Sequence, residues 1–369
     1  VALWRQRILG REIYFNFLYA PGFWLLLSAG MTYALIGMRT ISGVYHHGIL
    51  PVVAFAIGWL IAEGSSDKQI RDGILALAAG FGTYATLNML VNIGNNRYRL
   101  IDFWTGTYRA ATGSGALNTL PISVTPYAVK FEKRLPVKIM FLALFFATIQ
   151  YMFMLGTRTQ FAILLLIVIL AALQFAYSEH GIAGILKCLG IMVVISLIAF
   201  LFYHFNVLSI RDYILSTNLA ARYERRASLE NSDSFRFQSF WIGLRELIQY
   251  PMGGRASQIY RHNMWLDVGR VSGIIPFCLL LIYSIKNFAN VTVIWKNPKI
   301  LPSLRYLLLF LYIGAYVNCF VEPIWEGALN FFLTLCVVDG MVSAMMRRLE
   351  NDPNSEESVP DASNLHADL

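Results

Sequence analysis

The stretch "IMFLALFFATIQYMFMLGTRTQFAILLLIVILAALQFAY", residues 139–177, decides the fold. It holds two apolar runs, within 137–155 and 160–177, each long enough as a helix to cross a hydrocarbon layer of about 30 Å. A few residues around Arg158, the one charge in the stretch, separate them. Neither run alternates apolar and polar faces as a half-exposed helix would, so the surroundings on all sides are protein or lipid.

Working outward, similar runs occur at 22–38, 48–63, 73–93, 114–129, 182–204, 263–285, 303–320 and 325–346. The expectation is an all-α fold, a polytopic transmembrane helical bundle of about ten spans with a large, partly helical outer loop. Composition agrees, because 369 residues that are 57% hydrophobic and 14% charged cannot clothe a water-soluble surface. Pro121 and Pro126 interrupt 114–129, which is therefore expected to face a cavity that re-satisfies its backbone. The chain divides into an N-terminal cytoplasmic or interfacial segment (1–21), seven spans (22–204), an outer loop (205–262), three spans (263–346) and a disordered tail (347–369). Residues 1–20 lack the apolar core of a signal peptide and read as an interfacial helix or the stump of a missing span.

The formal charge of +8 would suit a nucleic-acid binder in a soluble protein. In a membrane protein it matters instead which loops hold the cations, and no nucleic acid is expected as a partner. With the N-terminus inside, Lys130, Lys133, Arg134, Lys138, Lys286, Lys296, Lys299, Arg347 and Arg348 all fall on one side, as the positive-inside rule requires. The four cysteines, Cys188, Cys278, Cys319 and Cys336, lie in apolar runs without CxxC spacing, so neither a disulfide framework nor a metal site is expected.

The opposite side carries the chemistry. Between Asn206 and Arg261 stand eight arginines, Arg211, Arg222, Arg225, Arg226, Arg236, Arg245, Arg255 and Arg261, and no lysine. Guanidinium offers a planar fork that grips phosphate oxygens two at a time, which suits a diphosphate. Pairing with Asp212, Glu224, Glu230, Asp233 and Glu246 on a solvated loop would equally account for them. Within the loop, "NSDSFRFQSFWIGLRELIQYPMGG" (231–254) reads as a helix stopped by Pro251 and two glycines. Phe237, Phe240, Trp241, Leu244 and Ile248 share its apolar face, Arg236 and Arg245 flank that face, and Glu246 points away from it.

"RHNMWLDVGRVSG" (261–273) follows, with His262 and Asn263 where the chain re-enters the membrane. Histidine transfers protons near neutrality, although a lone interfacial histidine is more often structural. Asp267 and Arg270, one turn apart in an apolar run, are either functional or a mutual ion pair. Arg109 in "TYRAATGSG", and Glu322 and Glu326 in "FVEPIWEGA", complete the charges near helix ends on this side; each also reads as an interfacial anchor.

"LGTRTQ", "SFRFQSFW" with "YPMGG", and "HNMWLDVGRVSG", in that order between Tyr151 and Ile282, resemble the conserved region of the O-antigen ligase and O-antigen polymerase family. The family pattern after the histidine is matched by Asn263 and Gly273, while Pro276 stands where a small or hydroxyl residue is usual. The resemblance implies a glycosyltransferase of the bacterial inner (cytoplasmic) membrane. Such an enzyme moves a glycan from undecaprenyl diphosphate to an acceptor hydroxyl on the periplasmic side, with no cofactor and no metal. It makes Arg158 and Arg236 the diphosphate clamp and His262 the general base. Arg109, Arg222, Arg225, Arg226, Asn263, Asp267, Arg270 and Glu322 are assigned to the substrate. Implied partners are the lipid-linked donor, a glycan or lipid A-core acceptor, membrane lipids and a chain-length regulator. The likeness of "HNMWLDVGRVSGIIPF" to capsule and O-antigen polymerases favours a polymerase over a ligase that loads lipid A-core. A transporter or flippase of the same glycan is the alternative of another class; it calls for charges spread through the membrane interior.

Overall fold

A computed structural model describes residues 16–93, 100–108, 111–221 and 232–351, with the side chains of 111–112 and 232–236 excepted. Among these residues every regular element is a helix. We number them α1 (Pro21–Met38), α2 (Ile41–Glu63), α3 (Asp67–Val91), α4 (Ala111–Leu117), α5 (Thr119–Phe131), α6 (Leu135–Leu155) and α7 (Arg158–His204). Then follow α8 (Ile210–Leu215), α9 (Ser232–Gln249), α10 (Met264–Ser272), α11 (Ile274–Lys296), α12 (Pro302–Val321), α13 (Ile324–Gly327) and α14 (Leu329–Glu350). Eight of these, α1, α2, α3, α6, α7, α11, α12 and α14, are long and apolar enough to cross a membrane. The chain is an all-α, polytopic helical bundle.

Two further crossings come from helices that are not simple rods. α7 has 47 residues, about 70 Å if straight and twice the hydrocarbon thickness. It is not straight: Gly181 (φ 58°, ψ −142°) interrupts it, and a Cβ on Gly184 would lie 2.1 Å from the Ala176 carbonyl oxygen. Glu179 pairs with Lys130 at one end of the bundle. Beyond α7, Tyr213 donates to Gln150 and Asn218 Nδ2 donates to the Met154 carbonyl, both at the other end. The spans expected at 160–177 and 182–204 are therefore two crossings joined at Gly181.

The span expected at 114–129 consists of α4 and α5, broken at Asn118. It contributes Leu117 to a cavity of about 410 Å³ shared with Phe81, Tyr84, Trp104 and Asn330, and packs most of its other residues against protein. Thr119, Leu120, Ile122, Ser123, Val124 and Tyr127 are all buried in protein. Asn318 of α12 satisfies the break, donating to Thr119 Oγ1 (3.0 Å) and the Ala116 carbonyl (3.4 Å). The span expected at 263–285 is likewise two helices: α10 is a nine-residue stub, Gly273 (φ 92°) ends it, and the crossing is α11. The last crossing begins at Leu329 rather than 325. Asp267 and Glu326 consequently lie outside the crossings, at the bundle end that carries Arg158 and His262.

Small residues set how closely the crossings pack. A Cβ on Gly58 of α2 would lie 1.8 Å from the Val337 carbonyl oxygen, and one on Gly340 of α14 would lie 2.0 Å from that of Phe55. The two helices thus meet backbone to backbone, as small residues allow inside membranes. At the Lys130 end, Arg348 of α14 bonds Asp67 (2.5 Å) and the Ser65 carbonyl, while Asp67 accepts the Leu301 amide (3.0 Å). That ties three connections together. The N-terminal segment before residue 16 and the tail after 351 lie outside the described residues.

Candidate active site

The site is assembled from three helix ends, each fixed by a local rule. The turn Gly156–Thr157 carries Arg158. Gly156 (φ 66°) closes α6 in the left-handed conformation, and Arg158 is the first residue of α7. The α4 backbone lies against this turn: a Cβ on Gly115 would meet Thr157 Cγ2 and Gln160 Oε1 at 2.8 Å, and one on Gly113 would meet the Gly327 carbonyl oxygen at 2.8 Å. The glycines of "TGSG" thus let α4 wedge between the Arg158 turn and α13.

His262 stands before α10 with φ 54°, a strained value for a residue with a Cβ. Asp267, fully buried, holds it there, its carboxylate accepting the amides on either side, Arg261 N (2.6 Å) and Asn263 N (3.3 Å). Asn263 caps α10, accepting Leu266 N at 3.1 Å, and its Nδ2 donates to the Phe320 carbonyl at the end of α12. Asp267 and Asn263 act on the backbone of the histidine turn, so they position His262.

The α12–α14 connection brings the carboxylates. Glu322 Oε2 lies 4.0 Å from His262 Nδ1, and Glu322 Oε1 accepts Thr159 Oγ1 at 2.5 Å. Glu322 is 6% exposed and the His262 side chain 28%, so the ring has a protected edge and an open one. One carboxylate thus spans from His262 to the residue beside Arg158. Gln160 and Asn318 continue the link, Nε2 to Oδ1 at 3.3 Å.

Arg270 is spent within the protein. Its Nη1 donates to the carbonyls of Arg255 (2.7 Å), Ala256 (2.9 Å) and Gln258 (3.0 Å), and its Nη2 to both oxygens of Glu326 at 3.0 Å. Asp267 lies 3.5 Å from its Nε. At 3% exposure its role is to staple the loop after α9 to α13. Burial pushes the Glu326 carboxyl up to about 7, with Arg270 pulling the other way.

The loop arginines divide. Arg261, 8% exposed, forks onto Glu246 (Nε–Oε2 2.9 Å, Nη2–Oε1 2.7 Å), and Arg255 approaches the same carboxylate at 3.4 Å. These two are ion-paired rather than waiting for phosphate. Glu246 belongs to the buried face of α9 with Ser239, Gly243 and Leu247, where a Cβ on Gly269 would lie 2.3 Å from Leu247 Cδ2. The opposite stripe splits. Phe237, Trp241 and Ile248 are exposed, whereas Phe240 and Leu244 line an apolar groove of about 530 Å³ with Trp265, Leu281, Phe288 and Phe320. Asn263 lies at that groove's edge. Arg236 lies on α9, but its side chain, and Arg109, Arg222, Arg225 and Arg226 entirely, fall outside the described residues.

Thr159, Gln160 and Asn318 were not singled out from sequence, and Glu326 was named only among the charges near helix ends. For Glu326 a signal existed, in two carboxylates flanking "PIW" at a span's end; the three polar residues sit in otherwise apolar helices.

Fold and site together define a polytopic helical membrane protein with a buried polar network at one end of its bundle. No protein-family model matches the chain, and no curated protein matches it in sequence.

Proposed function

We propose that the chain is a glycosyltransferase of the O-antigen polymerase and ligase type, transferring a glycan from undecaprenyl diphosphate to an acceptor hydroxyl at the outer face of the bacterial inner membrane. The observation that carries this is the approach of Glu322 to His262 Nδ1 at 4.0 Å, with Arg158 one residue from Thr159, the other partner of that carboxylate. A carboxylate 4.0 Å from Nδ1 stabilises the imidazolium once the proton arrives on Nε2. The acceptor oxygen forms its bond to the anomeric carbon of the donor sugar. The bond from that carbon to the diphosphate oxygen breaks, the acceptor's proton goes to His262 Nε2, and undecaprenyl diphosphate departs with the electron pair. Arg158 and Arg236 take the charge that develops on the leaving group.

The apolar groove that begins at Asn263 suits the prenyl tail, since it runs from the residue after His262 into the helices that cross the membrane. The Lys130–Glu179 end is the cytoplasmic one, by the distribution of lysines. A transporter is disfavoured by the interior. Asp339, buried mid-helix in α14, is taken up by Tyr283 (2.6 Å) and Tyr312 (2.5 Å), which does not make a charged path.

The test is purified protein with undecaprenyl-diphosphate glycan, with and without lipid A-core, in the presence of a chelator. Growth of lipid-linked chains without lipid A-core identifies a polymerase, and product only with lipid A-core identifies a ligase. Absence of any transfer, or transfer abolished by the chelator, contradicts the mechanism.

A further inference from the structure

A second cavity, of about 230 Å³, lies beside the end of α6 that leads into the Arg158 turn. The last turns of α6 supply Gln150, Phe153 and Met154, and the segment from α8 onward supplies Tyr213, Ser216, Thr217 and Asn218. We infer that this cavity binds one sugar ring of the glycan substrate, an inference that rests on the glycosyltransferase function proposed above.

The wall chemistry distinguishes it from the groove beside Asn263. That groove is apolar, whereas this cavity is small and lined by two amides, two hydroxyls, two aromatic rings and the apolar Leu100 and Met154, a set that can meet both a pyranose's hydroxyls and its apolar face. The polar groups are fixed but not exhausted. Gln150 Oε1 accepts from Tyr213, which leaves the Gln150 Nε2 hydrogens without a partner among the described residues. Ser216 Oγ donates to the Tyr213 carbonyl (2.7 Å) and keeps its acceptor lone pairs. Thr217 Oγ1 donates to the Ile214 carbonyl and accepts the Ala220 amide, which makes it a rigid wall rather than a ligand. The cavity thus offers both a donor pair and an acceptor to a sugar's hydroxyls.

Position relates the cavity to the reaction. Asn218 Nδ2 holds the Met154 carbonyl at 2.5 Å, four residues before Arg158. On the far side of the same turn, Thr159 holds Glu322, which approaches His262. A ring seated here is linked through Met154 to the helix end that leads into the arginine turn. The ring can belong to the donor or to the acceptor, and kinetics separate the two.

The experiment is saturation-transfer NMR on the full chain in nanodiscs, with a mixture of glucose, galactose, mannose, rhamnose, N-acetylglucosamine and N-acetylgalactosamine. Transfer to the ring protons of at least one sugar is expected. It should disappear in Gln150→Ala and in Ser216→Trp, which fills the cavity, and persist in His262→Ala; thermal melts confirm that each variant is folded. No transfer to any sugar, transfer unchanged in both cavity variants, or transfer lost in His262→Ala would overturn the assignment. Binding is read without turnover, so failure of the proposed reaction leaves this result interpretable. In active preparations Ser216→Trp should raise KM about tenfold for whichever substrate owns the ring, donor or acceptor, and an unchanged KM for both would count against the site.

Discussion

Gly253 and Gly273 face each other backbone to backbone: a Cβ on Gly253 would lie 2.5 Å from Gly273 N, and one on Gly273 would lie 2.1 Å from the Pro251 carbonyl oxygen. Between them run three main-chain bonds, Gly254 N to Val271 O (2.9 Å), Arg255 N to Arg270 O (3.1 Å) and Ile274 N to Pro251 O (2.9 Å). The broken end of α10 thereby finds partners for carbonyls that a helix end otherwise leaves open. The turn after α9 is zipped to the break that ends the histidine helix.

Gly273→Ala therefore meets both a positive φ and occupied space. It should destabilise the protein by about 3 kcal/mol or more, seen as a lowered melting temperature in detergent, whereas Gly254→Ala, with open space around it, should cost only the strain of its own φ. Equal effects at the two positions would show that the zipper is not what holds the loop.

The buried pair Arg261–Glu246 makes a second stability prediction. Glu246→Leu leaves a guanidinium buried without its fork and should cost about 3–5 kcal/mol, while Glu246→Leu with Arg261→Met should recover most of that loss. A double variant as unstable as the single one would place the value of the pair in packing rather than charge.

pH acts at the opposite end. The Arg134 side chain, hydrogen-bonded to Glu132, holds that carboxyl down at about 2 from an ordinary 4.5, against the opposing pull of burial. A depressed folded-state value means stability that is present above pH 4.5 and is lost as pH falls toward 2. Glu132→Gln should flatten this part of the acid limb in melts across that window; because the Arg134 side chain is 58% exposed, the change should be small and salt-sensitive. An acid limb as steep as the wild type's would assign the acid loss to other carboxylates.

Most of the fold was legible because its cause is local. Apolar runs longer than the membrane is thick announce crossings, and "YPMGG" announces the end of α9. What hydropathy could not show was the break at Gly273 inside the run 263–285, since that glycine acts through φ and not through polarity, whereas the break at Gly181 falls between the spans expected at 160–177 and 182–204. It also could not show that α4 and α5 would be swallowed by protein, because the partner that satisfies their break, Asn318, lies about 200 residues away. The site divides the same way. The histidine, its flanking asparagine and Arg158 stood out by type and place. The spacing of Asp267 and Arg270 suggested a pair with each other, and they are indeed close. The dominant partners of Arg270, Glu326 and the 255–258 carbonyls, are set by tertiary packing. Of the eight loop arginines, two proved to be consumed by Glu246, which their number alone could not reveal.

Arg236 tests the phosphate clamp. Arg236→Lys keeps the charge and loses the fork, so kcat for glycan transfer should fall at least about tenfold with membrane expression unchanged; near-normal turnover would mean that charge alone suffices.

The most direct measurement compares kcat against pH for wild type, His262→Ala and Glu322→Gln with the lipid-linked donor. The account predicts no transfer by His262→Ala at any pH. Glu322→Gln should still transfer, at a rate lowered by about two orders of magnitude, since the imidazolium formed during transfer loses its carboxylate partner. Full turnover by His262→Ala, or a wild-type rate in Glu322→Gln, would contradict it.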